Sequence, residues 1–181
     1  MAYEEKKISG ETLFQGVIVT LRRDKVELVN GREAMREVVE HPGGVGIVAV
    51  DGDRNVYMVR QYRYPIEREL WEIPAGKLEY GEDPLACAVR ELSEETGLTA
   101  GRMIPLGAIY PSPGYCKETL YVYLALDLDR GQAHLDPDEF LDVAKVPMDE
   151  LVRQIMADEL RDGKTVMGIL KAKLLLDGAQ N

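Results

Sequence analysis

Three glutamates, Glu91, Glu94 and Glu95, fall within about one and a half helical turns of the stretch GKLEYGEDPLACAVRELSEETGL, with no lysine beside them. Like charges four residues apart on a helix, here Glu91 and Glu95, repel by a few tenths of a kcal/mol, and an ordinary surface helix would interleave lysines. Only Arg90 offers relief, to Glu94. Oxygen donors at this density suit a hard divalent cation, since Mg²⁺ takes one or two carboxylates together with water and phosphate oxygens and cancels their repulsion. A solubilising acidic face is the other reading of these residues, and spacing alone does not separate the two.

The elements that must position the glutamates are well bracketed. Asp83 is suited to an N-cap, Pro84 to the first helical position and Gly97 to the residue past the end, which predicts a helix of about three turns. Steps of 100° place Leu85, Ala88, Val89, Leu92 and Thr96 on one side and the glutamates on a neighbouring side, with Cys87 filling a helix face. Just upstream, WEIPAGKLEYGED contains Pro74, Gly76 and Gly81 and reads as a strand end followed by a loop. Before that, GVGIVAV and NVYMVRQYR read as two buried strands joined tightly at Asp51-Gly52-Asp53.

Residues 1–43 alternate β-branched and charged positions around Asn30-Gly31, a hairpin signal, and predict a β meander with few large apolar side chains. Such a segment is expected to pack on the remainder of the chain, residues 44–181, or on a second subunit, so a homodimer is expected. Further strands are predicted over Met103–Tyr110 and Thr119–Leu126, separated by the loop PSPGYCKE and followed by a second, acidic loop, DLDRGQAHLDPDEF. Helices are predicted over Met148–Met156 and Lys164–Leu176, the latter with Val166, Ile169, Leu170 and Leu174 on one face. The order of elements predicts an α+β sandwich.

Composition narrows the function. With 181 residues and 45% hydrophobic content the chain can bury one sizeable core. A net charge of −10 argues against nucleic acid held through its phosphates, a mode that needs clustered Lys and Arg. The longest apolar run, Val45 to Val50, is far short of the roughly 20 residues of a membrane span, and MAYEEKKISG lacks a signal peptide's apolar core, so a cytoplasmic location is expected. Cys87 and Cys116 are too few for a disulfide framework and read as free thiols.

The stretch from Gly76 to Leu98 resembles the Nudix box, G-x5-E-x7-R-E-U-x-E-E-x-G-U with U aliphatic, through Gly76, Glu82, Arg90, Glu91, Leu92, Glu94, Glu95, Gly97 and Leu98. Nine specified positions make this far more specific than a single glycine-rich triplet, and the solubilising reading recedes accordingly. The resemblance, which runs from about residue 44 onward, implies a Nudix-type α/β/α sandwich with a mixed sheet, preceded by the N-terminal antiparallel segment. It implies hydrolysis of a nucleoside diphosphate linked to another moiety, with Mg²⁺, or Mn²⁺ in its place, on the box helix. Glu91 and Glu95 resemble the principal metal ligands, with Glu94 sharing that duty, Glu82 reaching in from the loop and the carbonyl of Ala75 completing the set. Arg90 resembles the family's orienting arginine.

Features outside the box are similar to the ADP-ribose pyrophosphatase branch: VRQYRY, WEIPAG, the N-terminal β segment and Pro113, fifteen residues after Leu98. The resemblance implies cleavage of ADP-ribose to AMP and ribose 5-phosphate. Another nucleoside diphosphate sugar such as GDP-mannose, or a nucleoside triphosphate, is the alternative substrate, and a non-catalytic ADP-ribose sensor is the alternative of another class. Arg63 either meets diphosphate oxygens in a bidentate contact or forms a salt bridge with Glu67 or Glu69. By resemblance Ser112 and Glu118 border the terminal ribose, against ordinary loop hydrogen bonding. Phe14, or a Tyr of the N-terminal segment, either stacks on the base when delivered by a partner subunit or packs within its sheet, and Trp71 reads as structural. Glu139 in LDPDEF is the best match to the branch's general base, although Pro137 stands where some relatives carry a glutamate. Asp136, Asp138 or a box glutamate such as Glu94 are the alternatives.

Overall fold

The computed structural model describes residues 3–131 and 140–178. The chain divides into two compact units, one formed by Met1–Gly43 with Tyr110–Thr119 and the other by Gly44–Ile109 with Leu120–Asn181.

The first unit is an antiparallel meander of β1 (Lys6–Gln15), β2 (Thr20–Glu27) and β3 (Glu33–Glu40) in the order β1-β2-β3. Asn30-Gly31 does turn the chain, within a longer loop than a two-residue hairpin. Gly31 adopts φ 77°, a conformation that favours glycine, and its N–H donates to the Leu28 carbonyl at 2.9 Å. Every residue of β1 is exposed. The segment PSPGYCKE, expected as a plain loop, is tied to β3, with the Val39 N–H donating to the Tyr115 carbonyl and the Lys117 N–H to the Val39 carbonyl.

The second unit contains β4 (Gly44–Val50), β5 (Asn55–Arg63), β6 (Arg68–Glu72), β7 (Ala75–Lys77), α1 (Pro84–Thr96), β8 (Leu98–Ile109), β9 (Leu120–Arg130), β10 (Asp142–Pro147), α2 (Met148–Met156) and α3 (Gly163–Gly178). Its sheet runs β10-β5-β4-β9-β8, with β6 paired to β5 and β7 to β4. The β4–β9 pair is parallel and its neighbours are antiparallel, so the sheet is mixed. All seven residues of β4 are buried, as a central strand covered on both faces requires. Alternation along it sends Val45, Ile47 and Ala49 to the α1 side with Ala88 and Leu92, and Val48 and Val50 to the other side with Leu151 of α2 and Ile169 of α3. The α+β sandwich with helices on both faces is therefore observed.

Three expectations are corrected. The segment DLDRGQAHLDPDEF, expected as a loop, starts with the last residues of β9, Asp127–Arg130, and beyond it the short alternating sequence DVAKVP forms β10, a strand that was not expected, antiparallel to β5. Residues 75–77 form a strand, pairing Val45 with Gly76, where only a loop was expected. β8 starts at Leu98, directly after the helix.

The helix faces are also rotated from their expected positions. On α1 the buried residues are Cys87, Ala88, Glu91, Leu92 and Glu95, while Leu85 and Val89 are exposed. The face selected is the one that addresses β7, because Glu95 and Glu91 meet Ala75 and Gly76 there. On α3 the buried residues are Lys164, Thr165, Gly168, Ile169 and Ala172, and Leu174 is exposed. Gly168 permits this close approach, since a Cβ there would lie 2.9 Å from Val48 Cγ2. Among the described residues no helix is long and apolar enough to cross a membrane.

Candidate active site

The box helix begins as its sequence predicts. Asp83 accepts hydrogen bonds from the N–H groups of Leu85 (3.0 Å) and Ala86 (3.1 Å), and Pro84 opens the first turn. At the other end Gly97 is left-handed, with φ 69°, and its N–H donates to the Ser93 carbonyl. Between these caps the alanines, leucines, arginine and glutamates of PLACAVRELSEET are mostly strong helix formers.

Two of the three clustered glutamates are buried: Glu91 is 8% exposed and Glu95 3%. Glu95 accepts from the Ala75 N–H at 2.9 Å, which joins α1 to β7. Gly76 faces Glu91 so closely that a Cβ would stand 1.8 Å from the carboxylate carbon. Glycine at the first box position is thus required by the glutamate fifteen residues later.

Arg90 serves more than Glu94. Its Nη1 donates to Glu91 (2.8 Å) and Glu94 (2.9 Å), and its Nε and Nη2 both reach Glu82 at 3.0 Å. One guanidinium therefore gathers three box carboxylates, one from the loop and two from the helix. Hydrogen bonds from Arg90 and from the Glu79 backbone pull the Glu82 carboxyl down to about 2. The same hydrogen bond from the other side, with Glu91 and Glu94 adding to it, raises the Arg90 pKa. Cys87 lies under this cluster, and burial pushes its thiol up to about 12.

The donor set fits a hard divalent cation: four carboxylates and neighbouring backbone carbonyls, all oxygen, with two of the carboxylates on the buried side of one helix. Among the described residues no three acidic, histidine or cysteine side chains already converge as a ligand cluster. Glu82, Glu91 and Glu94 are instead turned towards Arg90, and Glu95 towards the Ala75 N–H.

A family model described as the NUDIX domain matches residues 40–167. The chain belongs to the Nudix family. A second model, the nucleoside diphosphate sugar hydrolase N-terminal domain, matches residues 5–39. This Nudix chain is 43% identical to the ADP-ribose pyrophosphatase of Bacillus subtilis (strain 168), over 92% of this chain and 91% of that protein. It is equally similar, at 43% identity over 92% of this chain and 91% of the other, to the methanol dehydrogenase activator of Bacillus methanolicus. Its fold matches a solved structure described as an ADP compounds hydrolase, with a TM-score of 0.86 over 99% of this chain and 98% of that one, at 21% identity.

The other residues expected at the site of this Nudix chain are distributed as follows. Arg63 makes a salt bridge, but not with Glu67 or Glu69: its Nε and Nη2 clasp both oxygens of Glu72 at 2.8 and 2.6 Å. In the first unit the Ser112 carbonyl accepts from the N–H of Tyr115 and of Cys116, Glu118 Oε1 lies 3.4 Å from His41 Nδ1, and Phe14 is exposed on β1. Trp71 is partly exposed on β6 beneath the Arg60 guanidinium. Glu139, with Asp136, Pro137 and Asp138, lies outside the described residues.

Sequence reasoning missed Glu72, which is 1% exposed, and Lys164, which pairs with it. Burial alone would raise the Glu72 carboxyl, but the hydrogen bonds from Arg63 and the charge of Lys164 outweigh it and hold the group below the usual carboxylate range. The available signals were an acid set between Trp71 and Ile73 and a lysine in the first turn of a helix, ahead of the apolar run VMGIL.

Proposed function

We propose that this chain hydrolyses the pyrophosphate bond of ADP-ribose to AMP and ribose 5-phosphate, using Mg²⁺, with Mn²⁺ able to replace it. The observation that carries the reading is the complete Nudix box folded as a capped helix against β7, in a chain 43% identical over nearly its full length to an ADP-ribose pyrophosphatase. The complete set of box glutamates speaks for catalysis over simple sensing of the nucleotide.

In this mechanism Glu91 and Glu95 would hold the cation, assisted by Glu94, Glu82 and the Ala75 carbonyl. The chemistry the cation supplies when bound is neutralisation of the diphosphate and acidification of a water molecule. Arg90 aligns Glu82, Glu91 and Glu94 through its hydrogen bonds, which fixes carboxylates that would otherwise repel one another. Arg63, fixed on Glu72 and partly exposed, offers a guanidinium to the diphosphate. Glu139 is the proposed base that takes the proton of the attacking water, with Glu94 the alternative. Ser112, Glu118 and Phe14 are proposed as contacts to the nucleoside diphosphate sugar on the family resemblance. The acting species is proposed to be a cytoplasmic homodimer that binds neither nucleic acid nor membranes.

The test is incubation with Mg²⁺ and a panel of nucleoside diphosphate sugars, dinucleotides and triphosphates, with the products identified. ADP-ribose is expected to turn over fastest, giving AMP and ribose 5-phosphate, and activity is expected to vanish in chelator and return with Mg²⁺. No turnover of any member would sink the enzymatic reading. Faster cleavage of GDP-mannose or of a triphosphate would shift the substrate.

A further inference from the structure

Glu72, at the end of β6, is a buried carboxylate held by two cations of different exposure. Arg63 grips both of its oxygens, with a side chain 39% exposed; Lys164 Nζ meets Oε2, with a side chain only 9% exposed. Lys164 also lies 3.0 Å from Asp162 Oδ2, which accepts from the Thr165 N–H (3.1 Å) and Oγ1 (2.6 Å). Thr165 Oγ1 in turn accepts from the Ile73 N–H at 2.9 Å. The first turn of α3 is therefore fastened at two adjacent residues, Glu72 and Ile73, just before the chain reaches Ala75 and its hydrogen bond to Glu95.

An ammonium removed from water costs several kcal/mol unless it is well paired, and apolar packing at such a place would commonly serve stability as well. The charge count suggests what the lysine does instead. Arg63 and Lys164 balance Glu72 and Asp162, so the cluster is neutral with its most exposed member cationic. Without Lys164 the same cluster carries one net negative charge, and Arg63 alone must neutralise Glu72.

We propose that Lys164 is a positioning residue for substrate binding: by sharing Glu72 with Arg63, it holds the Arg63 guanidinium in place and leaves its charge available to a diphosphate. This rests on the reading of Arg63 as a diphosphate contact. Lys164 itself does not touch the substrate.

The experiment measures KM and kcat for ADP-ribose with Mg²⁺, and the Kd of its non-hydrolysable α,β-methylene analogue, for the wild type, Lys164→Met, Lys164→Gln, Lys164→Arg, Arg63→Ala and the Arg63→Ala/Lys164→Met pair. Thermal melting establishes that each variant is folded. Lys164→Met and Lys164→Gln are expected to raise KM and Kd about tenfold with kcat changed less than about threefold, and Lys164→Arg to recover most of the loss. Because the lysine acts through Arg63, the double variant is expected to bind no more weakly than Arg63→Ala alone. An unchanged KM in folded Lys164→Gln overturns the proposal, as does a double variant in which the two losses multiply. Should Lys164→Met be unfolded, Lys164→Gln decides by the same criterion. A wild type that neither cleaves ADP-ribose nor binds the analogue overturns the functional reading and this proposal together, whereas an active wild type with unaffected variants overturns this proposal alone.

Discussion

A Cβ added to Gly76 would lie 1.8 Å from the carboxylate carbon of Glu91. The atoms it would displace are the end of a flexible side chain, so the strand can keep its place while the carboxylate cannot. Gly76→Ala is therefore expected to fold, with a melting temperature within a few degrees of the wild type, and, with Glu91 a proposed metal ligand, to lose about 10²-fold in kcat/KM, the scale of loss when a group at the reacting centre is misplaced by an ångström. Melting curves beside steady-state kinetics check this; full activity in Gly76→Ala would mean that the position of Glu91 does not matter.

Glu95→Gln keeps an oxygen to accept the Ala75 N–H and removes one of two like charges at i,i+4. Stability is expected to hold or rise slightly, while kcat falls severely through the loss of a proposed metal ligand. Near-wild-type turnover would remove Glu95 from the proposed ligand set.

Acid sensitivity follows from the depressed carboxyls. Glu82 is lowered from 4.5 to about 2 by Arg90 and the Glu79 backbone, and Glu72 is also lowered. Between those values the unfolded chain binds the protons that the folded chain refuses, so stability falls as pH drops below about 4.5 and is fully present above it. Denaturant unfolding from pH 6 downwards in chelator measures the slope; Glu82→Gln is expected to flatten it, and an unchanged slope would contradict the assignment.

The Asp83 cap satisfies two N–H groups of the box helix. Asp83→Ala is expected to cost about 1 kcal/mol in urea unfolding while leaving the chemistry of the glutamates intact. A loss well under a few tenths of a kcal/mol would show that tertiary packing alone sets the start of α1.

The two thiols should separate in labelling. Cys87 is buried, with its pKa pushed up to about 12, whereas Cys116 is partly exposed. Iodoacetamide at pH 8 is expected to modify Cys116 first and Cys87 only on unfolding, as mass spectrometry of digests would reveal. Early modification of Cys87 would show that the box helix opens readily.

Much of the site was legible in the chain because its signals are local. Asp83, Pro84 and Gly97 mark a helix through backbone chemistry that acts within a few residues, and the box spacing places Glu91, Glu94 and Glu95 together. The strands GVGIVAV and NVYMVRQYR announce themselves by composition for the same reason. Periodicity did not reveal which side of α1 turns inward, since Leu85 and Val89 are as apolar as the residues that are buried and yet stay exposed.

By itself, then, the sequence determined the box helix, its caps, the mixed order of strands and helices and the acidic character of the site. Only the tertiary structure decided that Glu91 and Glu95 are buried against Gly76 and Ala75, that Arg90 gathers carboxylates from loop and helix, and that Glu72 is shared by Arg63 and Lys164. Helical spacing and capping act over a few residues, whereas Glu72 and Lys164 are 92 residues apart in sequence. Their pairing exists only because α3 packs on the sheet beside the end of β6, a contact written in no local pattern.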